Sequence, residues 1–282
     1  MATETGDRMK ALSLDLRGRT AIVTGASGAI GGTMAVALMR HGANVALTYR
    51  SNRAAIDALL DEAESTIRTN SHQVDNTHPD EIAAHARAVK EEFGKIDIVV
   101  NCAGGHLAGS IGESGMSFFD MDPMIMERNT SFNLYAGCIW PCYFYGREMA
   151  DNPDGGSIVN ISSMNAYRPL SGRPSYAAAK AGVTNFTEWL ACHVAREINP
   201  RIRVNGIAPG FFPGPSNRGV MANEDGSLAL RGEKIVARTP MGRLGRTEDI
   251  VGTLLFYVSE LSHYVTGTMI PVDGGFTADA GI

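Results

Sequence analysis

A chain of 282 residues, 44% of them hydrophobic, can bury one large core, so we expect a polar leader over residues 1–15 and a single domain over residues 16–282. The absence of any apolar run of about 18 residues argues against a membrane span, and the polar N-terminus argues against a secretory signal. The net charge of −5 excludes a basic nucleic-acid footprint, and four cysteines without a Cys-x-x-Cys spacing favour reduced thiols in a cytoplasmic protein with no metal site.

The predicted elements alternate between strands and helices. Short apolar runs predict strands at Thr20–Val23, Val45–Thr48, Ile96–Val100, Ser157–Ile161, Arg203–Ile207 and Met269–Val272. Helical spacing of apolar residues predicts helices at Ile30–Met39, Ala54–Ile67, His78–Phe93, Asn129–Met149 and Tyr176–Glu197. This alternation predicts an α/β fold: a single Rossmann-like, doubly wound parallel sheet with helices on both faces.

An irregular segment rich in Gly, Pro and Asn follows the Arg203–Ile207 strand, over Pro209–Leu228. Long loops at the carboxyl ends of parallel strands tend to lie over the active site. We therefore expect a substrate loop at about residues 209–240.

A glycine-rich turn, Thr24–Gly31, joins the first strand to the first helix. Glycines let the backbone approach a pyrophosphate closely, and the helix N-terminus offers unpaired N–H groups to it. The position between a strand and a helix favours a dinucleotide site over an ordinary turn. We expect Gly25, Ser27, Ala29 and Ile30 to contact the cofactor.

The end of the second strand indicates the type of dinucleotide. An NAD site usually has an acidic residue here for the ribose 2′-hydroxyl, whereas this chain has Tyr49 and then Arg50, Ser51 and Asn52. A guanidinium with short polar neighbours suits a 2′-phosphate. NADP(H) is therefore favoured, with NAD(H) as the alternative if Arg50 is an ordinary surface arginine.

Candidate catalytic residues follow the Ser157–Ile161 strand. Tyr176 and Lys180 are four residues apart on a predicted helix, so they share one face. An ammonium beside a phenol favours the ionised form that a proton-transfer tyrosine needs. Ser163 lies at the carboxyl edge of the sheet, where its hydroxyl can hydrogen-bond a reacting oxygen.

In order and spacing, these motifs resemble the short-chain dehydrogenase/reductase family over residues 16–276. The motifs that complete the resemblance are Asn101-Cys102-Ala103-Gly104, Phe132-Asn133-Leu134, Pro209-Gly210 and Asp273-Gly274-Gly275. The resemblance implies an NAD(P)-dependent oxidoreductase that interconverts a keto group and a secondary alcohol. It also implies a homotetramer formed by the long helices around residues 129–149 and 176–197.

The resemblance also implies residue roles. Tyr176 transfers the proton, Ser163 orients the carbonyl, Lys180 holds the nicotinamide ribose and tunes Tyr176, and Asn133 anchors a proton-relay water. Tyr176 and Lys180 also count among the cofactor contacts. The remaining expected cofactor contacts are Asp75, Asn101, Ala103, Gly104, Pro209, Gly210 and Phe212.

Two positions depart from the family pattern. The family's second glycine, five residues after Thr24, is Ala29 here. The family often has Thr five residues after Pro209, where it bonds the nicotinamide carboxamide, and here that position is Gly214. The first departure predicts a shifted pyrophosphate, and the second predicts that the side-chain contact to the carboxamide is missing.

Residues near the substrate narrow the resemblance. The segments Ile161–Leu170, Gly210–Phe212, Asn217-Arg218, Asn223–Leu228 and Thr239–Arg243 resemble the D-mannonate oxidoreductase (D-fructuronate reductase) subgroup, which handles sugar acids. Arginine binds a carboxylate bidentately, and asparagine donates to and accepts from hydroxyls. The predicted substrate contacts are His106, Asn165, Arg168, Arg173, Asn217 and Arg218.

Two alternatives stay open. A 3-oxoacyl-thioester or general ketone reductase of the same family predicts an apolar channel, whereas a sugar-acid enzyme predicts a polar pocket with at least one arginine. A non-catalytic dinucleotide sensor is a different class of function, and it has no chemical need for Ser163, Tyr176, Lys180 and Asn133 together.

Overall fold

The computed structural model describes residues 13–64, 66–112, 116–214, 217–223 and 225–280. Within these ranges there are seven strands: β1 (Thr20–Thr24), β2 (Asn44–Tyr49), β3 (Thr69–Gln73), β4 (Ile98–Asn101), β5 (Gly156–Ile161), β6 (Ile202–Pro209) and β7 (Met269–Val272). They form one sheet in the order β3-β2-β1-β4-β5-β6-β7, and every neighbouring pair is parallel. The predicted parallel sheet is confirmed.

Helices cover both faces of this sheet. They are α1 (Ala29–Arg40), α2 (Arg53–Leu60), α3 (Pro79–Phe93), α4 (Pro123–Leu134), α5 (Trp140–Met149), α6 (Pro174–Glu197), α7 (Arg218–Met221), α8 (Leu230–Val236) and α9 (Val251–Val258). A π-helical turn, Tyr135–Ile139, joins α4 to α5. In the part of the chain that the structure describes, no helix has the length and apolar character needed to cross a bilayer.

Successive side chains of the central strand belong to two different hydrophobic layers. Ala21 and Val23 of β1 pack with α1 and α9, whereas Ile22 between them packs with α3, α5 and α6. Side chains alternate across a strand, so a strand covered on both faces is apolar at every position. This burial explains the uninterrupted apolar runs of the central strands.

A buried chain of polar side chains crosses the second layer. Asn101 Nδ2 donates to Asn160 Oδ1 at 2.8 Å, and Asn160 Nδ2 donates to Thr187 Oγ1 at 2.9 Å. These bonds join β4, β5 and α6 and satisfy groups that are costly to bury alone. The side chain of Asn101, a predicted cofactor contact, is thus turned into the core.

Several elements differ from their predictions. The predicted helix Asn129–Met149 is divided into α4 and α5 by the π-helical turn, and α7 and α8 lie within the expected substrate loop. β3 carries the polar sequence Thr-Asn-Ser-His-Gln at the edge of the sheet, so no apolar run marks it. α2 ends at Leu60 instead of Ile67. α9 was not predicted because its residues are nearly all apolar and lack the alternation of an amphipathic helix.

A histidine pair, with His85 buried and His72 half-buried, lies between β3 and α3. The His72 and His85 rings are 5.0 Å apart in an edge-to-face arrangement, and His85 Nδ1 lies 2.9 Å from the Tyr145 hydroxyl. Burial, reinforced by the charge on His72, lowers the pKa of His85 to about 3. His85 is therefore neutral in the folded protein over a pH range in which an unfolded histidine takes up a proton.

We expect His85 to make the folded protein less stable as the pH falls. Its pKa is lower in the folded state, so its contribution is complete above pH 6.5 and is lost as the pH falls towards 3. The loss between pH 7.5 and pH 5 is about 2 kcal/mol. Denaturant unfolding of His85→Gln should show a correspondingly smaller loss over that interval and an unchanged slope between pH 7.5 and 9. Identical acid slopes in the two proteins would contradict the assignment.

Candidate active site

The glycine-rich turn is packed directly against the loop that follows β4. Gly25 has a φ of +64°, and a Cβ placed on it would lie 2.8 Å from Ala103 Cα. Thr24 Oγ1 accepts hydrogen bonds from the Cys102 and Ala103 amides at 3.0 and 3.2 Å. Both the backbone conformation and the space therefore require glycine at residue 25.

The N-terminus of α1 opens onto the same edge of the sheet. Gly28 precedes the helix in an extended conformation, no side chain caps the helix, and its first turn has no acidic residue. The leading amides, near Ala29 and Ile30, are left to an external anion. Ser27 is only partly buried in the turn. This cradle fits a dinucleotide pyrophosphate.

Arg50 lies at the exposed end of β2, and its guanidinium is 5.8 Å from the centroid of the Phe132 ring. Both residues line a cavity of about 360 Å³ that also contains Asp75 and Arg128. Ser51, the next predicted contact, is exposed beside Arg50.

Two further predicted contacts have local partners. Burial raises the pKa of Asp75, but hydrogen bonds from Thr77 and the charges of His78 and Arg50 outweigh that effect and lower it. Asn52 accepts from the Ala55 amide at 3.2 Å and so caps α2. The Asp75 carboxylate faces the cavity in its ionised form, whereas the Asn52 side chain holds the helix.

Tyr176 and Lys180 occupy the first two turns of α6. Lys180 is buried, and its Nζ donates to the Ile161 carbonyl at the end of β5 at 2.8 Å. The same Nζ lies 5.7 Å from the centroid of the Tyr176 ring. The strand thus fixes a buried positive charge beneath the phenol, as predicted from their spacing.

Ser163 lies immediately beyond β5 and caps a short 3-10 turn. Its Oγ accepts from the Asn165 amide at 3.1 Å, so its own O–H remains to donate to a ligand oxygen. Asn165 is buried, and its Oδ1 accepts from the Leu170 amide at 2.9 Å. This predicted substrate contact therefore shapes the segment between Ser163 and Tyr176.

Asn133 holds the loop after β4 with its whole side-chain amide. Nδ2 donates to the carbonyls of Gly105 and Asn129 at 2.7 and 2.9 Å, and Oδ1 accepts from the Gly105 amide at 2.9 Å. A Cβ on Gly104 would lie 2.9 Å from that Oδ1. Because both N–H bonds are engaged, a water could bind Asn133 only at an acceptor oxygen.

The residues before and after His106 in the sequence are both held by hydrogen bonds. The Gly105 amide is held by Asn133, and the Leu107 amide donates to Asn129 Oδ1 at 3.1 Å. The His106 ring then packs on Tyr176 with 4.4 Å between centroids, while part of it stays exposed.

Electrostatics keep this histidine neutral. Burial against its neighbours lowers the pKa of His106 to about 4, and the charges of Arg173, Arg231 and Lys180 lower it further. A neutral imidazole therefore lies beside the candidate proton-transfer group, able to donate to and accept from a hydroxyl.

Arg173 and Arg231 bring two positive charges to this end of the cleft. Arg173 caps α6 three residues before Tyr176, and Arg231 lies in α8. Burial lowers the pKa of Arg173, the charge of Arg231 lowers it further, and Tyr176 opposes both. Within the described ranges, no carboxylate forms an ion pair with either guanidinium.

Two other predicted substrate contacts, Arg168 and Asn217, form hydrogen bonds with backbone groups. Arg168 is exposed, and its Nε donates to the Thr277 carbonyl at 3.2 Å. Asn217 accepts from the Gly214 amide at 2.7 Å and donates to the Phe212 carbonyl at 3.1 Å, so it braces its own loop. The Arg218 side chain lies outside the described residues.

The loop after β6 begins on a tight strand contact. Pro209 ends β6 beside Val272, and the Gly210 amide donates to the Val272 carbonyl at 2.9 Å. Phe212 is buried in the hydrophobic layer that contains α1, so its backbone, rather than its ring, faces the cleft.

Sequence reasoning missed Arg231 and Asn129. Arg231 lies within the predicted substrate loop, but nothing in its neighbours Leu230 and Gly232 distinguishes it from other surface arginines. Asn129 also donates from Nδ2 to Ser175 Oγ at 3.1 Å, joining α4 to the residue before Tyr176. Both roles depend on contacts between distant segments.

Comparison with known proteins adds a family model and three individual likenesses. The model described as enoyl-(acyl carrier protein) reductase matches residues 25–277. The oxidoreductase UxuB of Bacillus subtilis (strain 168), itself uncharacterized, is 37% identical over 282 residues, covering 95% of this chain and 98% of the relative. Gluconate 5-dehydrogenase of Gluconobacter oxydans (strain 621H) is 33% identical over 267 residues, covering 93% and 96%.

Among solved structures, a candidate D-mannonate oxidoreductase from Haemophilus influenza with bound NAD superposes with a TM-score of 0.85. It is 34% identical and covers 95% of this chain and 98% of its own.

Proposed function

The chain belongs to the short-chain dehydrogenase/reductase family of oxidoreductases that act on alcohol or keto groups, and from this premise we propose that it interconverts a keto- and a hydroxy-sugar acid of the D-fructuronate/D-mannonate type. The observation that carries the proposal is the pair of guanidinium groups, Arg173 and Arg231, beside His106 and Tyr176. Two half-buried cations that form no ion pair with the described carboxylates call for an anionic ligand.

The residues of the cleft fit a nicotinamide dinucleotide. Gly25 and the N-terminus of α1 would receive the pyrophosphate, Asp75 and Arg50 would hold the adenosine end, and Lys180 would hold the nicotinamide ribose. When bound, the dinucleotide supplies or accepts the hydride. The protein supplies orientation and proton transfer.

We assign proton transfer to Tyr176 and the orientation of the substrate oxygen to Ser163. Ser163 would donate its free O–H to the substrate oxygen, and the Tyr176 hydroxyl would give that oxygen a proton in reduction, whereas the Tyr176 phenolate would accept the proton in oxidation. The Lys180 ammonium, held by the Ile161 carbonyl, stabilises the charge that develops on Tyr176. His106 lies on the open side of Tyr176 and suits a neighbouring substrate hydroxyl.

The sugar-acid assignment draws support from the relatives as well as from charge. A gluconate 5-dehydrogenase and a candidate D-mannonate oxidoreductase match nearly the whole chain. The competing acyl-thioester reductase is favoured by the description of the family model, enoyl-(acyl carrier protein) reductase. Two cations beside Tyr176 disfavour an apolar acyl channel, and the dehydrogenases among the relatives argue against a non-catalytic sensor.

A substrate screen tests the proposal. Six-carbon keto-sugar acids and aldonates, the corresponding uncharged sugars, and an oxoacyl thioester should be compared with NADP(H) and NAD(H). We expect kcat/KM to be highest for a sugar acid. Equal or better turnover of the uncharged sugars would overturn the assignment, and preference for the thioester would establish the alternative.

We further propose that the cofactor is NADP(H), because Arg50 is exposed and lines the cavity at the end of β2, where it would meet a 2′-phosphate. The structural relative with bound NAD makes NAD(H) the competing choice. A charge-assisted bond contributes about 1.5 to 3 kcal/mol, so Arg50→Ala should lower kcat/KM for NADP(H) by roughly 10- to 100-fold and leave NAD(H) nearly unchanged.

Arg53 provides a matched control for Arg50. Its guanidinium is already engaged by Asp57 at 2.7 Å and by the Tyr49 hydroxyl at 3.4 Å. Arg53→Ala should therefore not change the ratio of the two cofactors. A wild-type enzyme without preference, and an Arg50→Ala variant that behaves identically, would exclude the 2′-phosphate role.

A homotetramer remains our proposal for the assembly. Tyr135, Tyr143 and Trp189 expose 46%, 60% and 57% of their surface along the helical region from α4 to α6. Aromatic residues are enriched in subunit interfaces. Light scattering of the purified protein measures the subunit number.

The cytoplasmic location also stays a prediction.

A further inference from the structure

The two positions that depart from the family pattern, Ala29 and Gly214, are in contact. A Cβ built on Gly214 would lie 3.1 Å from the Ala29 methyl carbon, closer than side-chain carbons ordinarily pack. Among the described residues, the other atom within 4 Å of that Cβ is Asn217 Oδ1, at 4.0 Å. The Ala29 methyl is therefore the obstacle that a side chain at residue 214 would meet.

Space, and not backbone conformation, accounts for glycine at this position. Gly214 is absent from the glycines with positive φ, so an ordinary residue could adopt its backbone geometry. It is nevertheless buried, with Ala29 directly across the cleft. The Ala29 methyl group, on the opposite side of the cleft, restricts the size of the side chain at residue 214.

Neither the N-terminus of α1 nor the loop after β6 can move away from the other. Ala29 is the first residue of α1, whose following residues are buried against the sheet. On the other side, the Gly214 amide and the Phe212 carbonyl are both bonded to the Asn217 side chain, and the Phe212 ring is buried against Gly245. Adding a side chain at 214 must therefore separate two anchored segments.

The geometry points to Ala29 and Gly214 as a matched steric pair that sets how closely the loop after β6 closes over the N-terminus of α1. The pair positions the pyrophosphate cradle against the loop that follows Pro209. The inference rests on the proposed dinucleotide site. Both are positioning residues, because they act through the width of the cleft and supply no hydrogen-bonding side chain.

The test is a double-substitution cycle with Ala29→Gly, Gly214→Val and the combined variant. In the wild-type background, Gly214→Val should raise the Kd and KM for NAD(P)H by about tenfold or more and lower the Tm. The loss caused by Gly214→Val should be at least about threefold smaller in the Ala29→Gly background than in the wild-type background. For Gly214→Val, the loss should appear in the KM for NAD(P)H more than in kcat.

Gly214→Thr is the matched companion of Gly214→Val, since the two side chains have the same shape. Equal behaviour of both shows that the effect is steric. Equal losses from Gly214→Val with and without Ala29→Gly would overturn the pairing. If the chain bound no dinucleotide, the proposed cofactor site would fail, yet the recovery of Tm in the combined variant would still report the pair.

Discussion

Replacing Tyr176 with phenylalanine is expected to remove nearly all turnover while leaving the cofactor bound. The substitution deletes the hydroxyl that exchanges the proton and keeps the ring that packs on His106. A positioned acid–base group contributes about 10² to 10⁴ in rate, so kcat should fall by that factor. Steady-state rates measure the loss, and fluorescence titration with NAD(P)H measures the retained binding.

Tyr167 is the matched control for this substitution. It belongs to the same segment between β5 and α6, but 42% of its surface is exposed. Tyr167→Phe should therefore keep a rate near that of the wild type. If the Tyr176→Phe enzyme also kept that rate, Tyr176 could not be the proton-transfer residue.

Substitution of Arg173 or Arg231 by alanine should selectively impair turnover of a sugar acid. Loss of one partner of a desolvated charge pair costs about 2 to 4 kcal/mol, or roughly 30- to 1,000-fold in kcat/KM. An uncharged sugar of the same length should be affected far less. The ratio of kcat/KM for the two substrates is the measurement, because it cancels any general loss of active enzyme.

Arg168→Ala separates this role from an unspecific effect of charge. Arg168 carries the same charge on the same segment as Arg173, yet it is exposed and bound to the Thr277 carbonyl. We expect its removal to leave the acid-to-sugar ratio unchanged. If the acid-to-sugar ratio of kcat/KM changed on substitution of Arg168, and of neither Arg173 nor Arg231, the substrate carboxylate would not bind at the Arg173 and Arg231 pair.

The sequence was most informative where local patterns decide structure. Buried strands such as β1 and β4 are apolar at every position, and the glycine-rich turn lies between a strand and a helix, so both were predictable. β3 was not, because an edge strand need bury little and its residues are polar. α9 escaped because a helix buried over most of its surface carries no amphipathic period.

The site residues also divide into those that local sequence patterns predict and those that only the tertiary structure reveals. Ser163, Tyr176 and Lys180 follow from motif and spacing, and the structure brings them to one edge of the sheet. Arg168 and Asn165 were placed with the substrate by proximity in sequence, yet their hydrogen bonds serve the neighbouring backbone. Arg231 reaches the cleft from a distant helix, and only the tertiary structure reveals it.

The order of the sheet also has a consequence for synthesis on the ribosome. If strands pair as they emerge, β1, β4, β5 and β6 each form the open edge of the growing sheet until the next strand arrives. These strands are rich in buried apolar residues, so each is a transient site for mispairing between nascent chains. β3 joins early and stays at the margin in the finished protein, and its polar Thr-Asn-Ser-His-Gln sequence gives a neighbouring chain little apolar surface to recruit.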